Sequence, residues 1–159
     1  MSASGGTATN NSNGTITVTG ANTKGMAASS GTVLNNGTIN ATAANTIAMY
    51  ANGGTATNGS SGRINTSASS AYVMLAEGTG TVNNQGTISY SGSGAALQAN
   101  GATANNSGII TATNGTGMAA YGAASSGGKA VNSGTINASG TNGKGMAAIS
   151  STVETKVTN

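Results

Sequence analysis

A three-part phrase recurs six times along this chain and fills nearly all of it. Its first part is Gly-x-Ile, at Gly14/Ile16, Gly37/Ile39, Gly62/Ile64, Gly86/Ile88, Gly108/Ile110 and Gly134/Ile136. The second is Met-x-Ala, at Met26/Ala28, Met49/Ala51, Met74/Ala76, Leu97/Ala99, Met118/Ala120 and Met146/Ala148, with Leu97 standing once for Met. The third is Ala/Val-x-Asn, at Ala8/Asn10, Val33/Asn35, Ala56/Asn58, Val82/Asn84, Ala104/Asn106 and Ala130/Asn132. Successive Gly landmarks lie 23, 25, 24, 22 and 26 residues apart. A repeat in the twenties builds a solenoid, because one unit cannot bury its own apolar face and must stack on the next.

The unit 81–101, TVNNQGTISYSGSGAALQANG, shows why the coil is made of strands. Apolar and motif residues alternate with period two in Val82-x-Asn84, Gly86-x-Ile88-x-Tyr90 and Ala95-x-Leu97-x-Ala99. That alternation places each stretch's motif residues on one face of a strand. Asn, Gly and Ser between the stretches are turn formers. The expected fold is therefore all-β: a parallel β-helix of about six coils of 22–26 residues, each coil three short strands and three bends. Counterpart strands one coil apart pair at about 4.8 Å, so six coils make a rod of roughly 30 Å. The handedness rule for parallel crossovers makes it right-handed.

Stacking puts like residues on like. Ile16, Ile39, Ile64, Ile88, Ile110 and Ile136 form one core ladder, and Met26, Met49, Met74, Leu97, Met118 and Met146 a second. The Ala that ends each Met-x-Ala lies where walls converge. The residue two after each Ile is Val18, Ala41, Thr66, Tyr90, Ala112 or Ala138, a spread of sizes expected near a corner. Asn10, Asn35, Asn58, Asn84, Asn106 and Asn132 read as an Asn ladder at a bend, where a short amide tolerates the left-handed region and bonds the amides above and below. The chain opens on Met1-Ser2-Ala3, which matches Met49-Tyr50-Ala51, and closes on Val157-Thr158-Asn159, which matches Ala/Val-x-Asn. Residues 1–159 thus read as a single solenoid segment that starts and ends in mid-coil, without the polar caps that solenoids use at their ends.

The chemistry this chain can carry is narrow. It has no Cys, Pro, Trp, Phe or His, and its acidic side chains number two, Glu77 and Glu154. Those carboxylates belong to coils three apart, roughly 14 Å along the axis, beyond the reach of a glycosidase pair. No catalytic residue, cofactor or metal ligand set is expected, since a transition-metal site needs His, Cys or clustered carboxylates. A formal charge of +3, spread over Lys24, Arg63, Lys129, Lys144 and Lys156, is too diffuse for nucleic acid. No run of apolar residues reaches the length of a membrane-spanning helix, so no membrane insertion by this segment is expected. Thr15, Thr17, Thr38, Thr87, Thr111 and Thr135 flank the Ile ladder on its outward side. A flat Thr-x-Thr array of this kind resembles the ice-binding face of some antifreeze solenoids, although Arg63 and Ile109 interrupt it.

The stretches NNGTINATAANTIAMYANGG, NSGIITATNGTGMAAYG and NSGTINASGTNGKGMAA resemble the passenger repeats of bacterial type V autotransporters, in particular the N-x-G-T-I and G-M-x-A repeats of fusobacterial-type adhesins. The resemblance covers essentially the whole chain. It implies a right-handed β-helix displayed outside the outer membrane, serving as adhesin or stalk.

Together these readings lead to a non-enzymatic structural or adhesive segment of a bacterial cell-surface or secreted protein. Its partner would be a host or bacterial surface receptor. Two alternatives are a subunit of an extracellular fibre that joins copies of itself end to end through open β-edges, and an ice-binding solenoid.

Overall fold

The computed structural model describes residues 1–69, 72–122, 126–149 and 156–159. These residues form twenty short strands and no helix. One coil is typical: Thr81–Asn84, then Thr87–Tyr90, then Ala95–Asn100. Strands at equivalent places in successive coils pair in parallel, so the molecule is a parallel β-solenoid with three strands per turn and about six coils. Its walls are three sheets of seven, seven and six strands. They are named here after their repeating residue: the Met sheet, the Asn sheet and the Ile sheet.

The register is residue for residue. Ile39 pairs with Ile16 and Ile64, Ile88 with Ile64 and Ile110, and Ile110 with Ile136. Met49 pairs with Met26 and Met74, and Leu97 with Met74 and Met118; Met118 pairs with Met146. Within the four middle coils these ladders are fully buried, whereas Ile16, Ile136 and Met146 are only partly buried. Parity explains the result: each inward residue of a strand meets the same residue type one coil up and down, so the interior packs as continuous columns.

The corners follow from residues that tolerate what a bend demands. The corner between the Asn and Ile sheets is so tight that a Cβ on Gly37, Gly86, Gly108 or Gly134 would fall on the carbonyl oxygen of the preceding coil's glycine. This is why each Ile strand is preceded by Gly. The left-handed region is used at the other two corners, by Asn22, Asn45 and Asn114 between the Ile and Met sheets, and by Gly53, Gly78 and Gly101 between the Met and Asn sheets. The asparagines of the ladder, which would tolerate that conformation, do not adopt it. Asn35, Asn58, Asn84, Asn106 and Asn132 each close an extended strand, and the left-handed asparagines stand on a different edge of the rod.

One interior column departs from simple alternation. Gly25, Ala48, Val73, Ala96 and Gly117, each immediately before the Met/Leu position, are buried. A Cβ on Gly25 would touch side-chain carbons of Val18 and Ile39, and one on Gly117 would strike Ile136. The Met sheet therefore bends at this point, and two consecutive residues face inward. Strict parity assigns that position to the outside. The signal that marks it is its restriction to Gly, Ala and Val.

Candidate functional site: surface groove and axial ladders

Three features organise the polar groups of the rod. The first is internal. Each ladder asparagine donates its Nδ2–H to the Oδ1 of the next: Asn10 to Asn35, Asn35 to Asn58 and Asn58 to Asn84, all at 2.8 Å. The column continues through Asn84 to Asn106 and Asn106 to Asn132 at 2.7 Å, and Asn132 to Asn159 at 2.6 Å. Every one of these donor amides also reaches the carbonyl of the glycine that opens the following strand, as Asn35 does to Gly37 at 3.2 Å and Asn132 to Gly134 at 3.1 Å. Asn10 to Asn132 are all buried, so the ladder satisfies amides that would otherwise be costly inside the rod.

The second feature is a cluster on the outer face of the Met sheet. Tyr50 donates its hydroxyl proton to Glu77 Oε2 at 2.5 Å, one coil on. The Lys24 ammonium lies 3.8 Å from the centre of the Tyr50 ring, one coil back. Burial, and then the hydrogen bond and charge of Glu77, push the Tyr50 phenol up to about 12. Ladder neighbours Leu75, Gln98 and Ala119 on the same outer column are buried. Gln98 Oε1 has no hydrogen-bond partner among the described residues.

The third feature is a groove on the outer side of the Ile sheet, about 390 Å³ in volume. Four successive coils supply it in matching pairs: Asn40 with Thr42, Asn65 with Ser67, Ser89 with Ser91, and Thr111 with Thr113. Thr66 and Tyr90, at the inward end of their strands, complete the lining. Tyr90 turns inward where the other coils carry Val18, Ala41, Thr66 and Ala112, and is 2% exposed. Its hydroxyl accepts the Gly94 backbone N–H. Its ring crowds Gly92 and Gly115, where any side chain would collide with it. Burial raises its phenol above the ordinary value. Across the groove wall Asn65 donates to Asn40 at 3.1 Å. Among the described residues, no charged side chain lines it.

The outward threonines divide between two columns. Thr15, Thr38, Thr87 and Thr135 share the first with Arg63 and Ile109, the latter 47% exposed. Thr17 and Thr111 share the second with Asn40, Asn65, Ser89 and Asn137, and it is this second column that dips into the groove. The groove itself was not anticipated from the sequence, because it is built from the least regular outward positions. Of the two carboxylates, Glu77 is engaged by Tyr50, and Glu154 lies outside the described residues.

The family model of the BigA third pectate lyase-like domain matches residues 42–159, most of the chain. No curated protein and no solved structure matches it.

Proposed function

The chain belongs to the family of the BigA third pectate lyase-like domain, and on that premise we propose that it is a non-enzymatic adhesive segment of a bacterial surface protein, of the autotransporter passenger kind. The observation that carries this reading is the family match over a rod whose distinctive residues are spent on structure. Ile and Met fill the interior, Asn bridges coil to coil, and Gly turns the corners. What remains outside is a long, regular, nearly uncharged surface of Thr, Ser and Asn. Such a surface suits repeated weak contacts along the length of the rod better than a single deep pocket.

The pectate lyase-like name describes a fold, and a fold does not carry an activity with it. Eliminative cleavage of a uronate polymer needs a base to take the proton beside the carboxylate, and a cation to hold that carboxylate. The groove presents hydroxyls and amides, and a buried phenol whose proton is held more tightly than usual. We therefore read the groove as a binding surface.

The test is display. The rod is fused to an outer-membrane anchor on a non-adherent bacterium, and attachment to epithelial cells and to other bacteria is counted. Attachment above the anchor alone is expected, together with no release of unsaturated products from polygalacturonate. Absence of attachment to every surface tried, or turnover of the polymer, sinks the proposal.

A further inference from the structure

We propose that the groove on the Ile sheet is a binding site for a linear, uncharged glycan running along the rod axis. The inference deepens the adhesive reading and rests on it.

Among the described residues the lining carries no formal charge: its polar groups are hydroxyls, carboxamides and one phenol held by Gly94, and most of its accessible surface is carbon. Nucleic acid and acidic glycans bind through clustered Lys and Arg, and none is present here. The nearest cation in the sheet, Arg63, stands in the neighbouring outward column, exposed and outside the groove. A peptide strand would need an unpaired sheet edge. The groove floor is built from interior strands, each bonded on both sides, such as Arg63–Thr66 and Thr87–Tyr90.

The groove is also periodic. Each coil contributes the same kind of pair, two polar side chains two residues apart, at the coil spacing of about 4.8 Å. A ligand that uses all four coils must repeat along its own length. An extended β-linked glycan does so, advancing by nearly one coil spacing per sugar ring.

The hydroxyls of Ser67, Ser89, Ser91 and Thr111 have no protein partner among the described residues, and each can both donate and accept. Sugar hydroxyls need that versatility, since each also donates and accepts. The methyl groups of Thr42, Thr111 and Thr113 give the C–H faces of a sugar ring an apolar counterpart. A volume of about 390 Å³ lies in the range of small-molecule sites, enough for a few sugar units in an open trough.

The experiment uses the intact rod labelled with ¹⁵N and titrates it with cellohexaose, laminarihexaose and mannohexaose, each a neutral β-linked hexamer, with trigalacturonate as the acidic control. At least one neutral hexamer should shift the amides of residues lining the groove. The double variant Ser89→Val and Ser91→Val should weaken that binding at least tenfold, and so should Asn65→Leu. Thr87→Val, in the outward column beside the groove, should leave binding unchanged. Equal melting temperatures check that every variant is folded, and having two independent groove variants guards against either one misfolding.

The inference is overturned if none of the three hexamers shifts those amides, if both groove variants bind as well as the parent, or if trigalacturonate binds more tightly than all of them. The same variants in the display assay separate this inference from the adhesive reading. Attachment that persists in variants that have lost glycan binding shows that adhesion runs through another surface and overturns the groove as the adhesive site, leaving the adhesin. Glycan binding without any attachment removes the adhesin and leaves the glycan site.

Discussion

At the scale of single residues, the buried amides decide more than their size suggests. Asn84 donates to Asn106 at 2.7 Å and accepts from Asn58 at 2.8 Å, and is 1% exposed. Replacing it by Ala strands the Asn58 donor and the Asn106 acceptor inside the rod. Each orphan costs about 1–3 kcal/mol, so Asn84→Ala should lower unfolding free energy by about 3 kcal/mol, read from urea melts. Tyr50 gives a prediction in pH. Its folded pKa of about 12 lies above the ordinary value of 10, so the folded chain holds the phenol proton more tightly than the unfolded chain. Between those values the native state binds more protons, and stability should fall as pH rises from 10 toward 12. Below 10 this group contributes no pH dependence. Tyr50→Phe should remove this part of the alkaline loss, with melting temperature against pH as the readout.

At the scale of strands and corners, the tightest constraint is the glycine before each Ile strand. A Cβ at Gly108 would fall on the Gly86 carbonyl oxygen, backbone that cannot step aside without breaking the register. Gly108→Ala should therefore cost about 3 kcal/mol. Gly5 has nothing within 4 Å of its would-be Cβ, and Gly5→Ala should change stability by less than about 0.5 kcal/mol. Denaturant melts of the two variants side by side would show whether this corner works as described. The strands are also where the sequence is most and least readable. Period two is enough to place Ile88, Leu97 and Asn84 on inward faces, because any slip by one residue would turn a whole ladder to solvent. It fails at Val73, since the strand Tyr72–Glu77 bends there and sends two neighbours, Val73 and Met74, inward together. It fails again at the groove. Ser89 and Thr111 look like ordinary exposed strand residues, and only the stacking of one coil on the next, which no single unit encodes, lines them up along the groove.

The whole molecule behaves as a stack in which each coil touches chiefly its neighbours. In such a stack, stability is a sum of coil and interface terms, and end coils are the weakest. Met74 is flanked on both sides by Met49 and Leu97, while Met146, in the last coil that reaches the Met sheet, is partly exposed. Met74→Ala should cost about 2–5 kcal/mol, and Met146→Ala clearly less, as judged by calorimetry of the two variants. With seven charged residues in 159, the rod should melt at nearly the same temperature from low to roughly half-molar sodium chloride. The asparagine column carries one more consequence. All its amides point the same way, and a lone reversed amide would set oxygen against oxygen on one side and nitrogen against nitrogen on the other. What fixes the sense in each coil is that coil's own glycine carbonyl, at Gly37, Gly62, Gly86, Gly108 or Gly134. Orientation is thus a local decision that happens to agree everywhere. A gene that duplicated or lost one whole coil would leave the column in phase, with no neighbour needing to flip. Length in this architecture is free to drift by whole turns, and selection on reach can act without disturbing the interior.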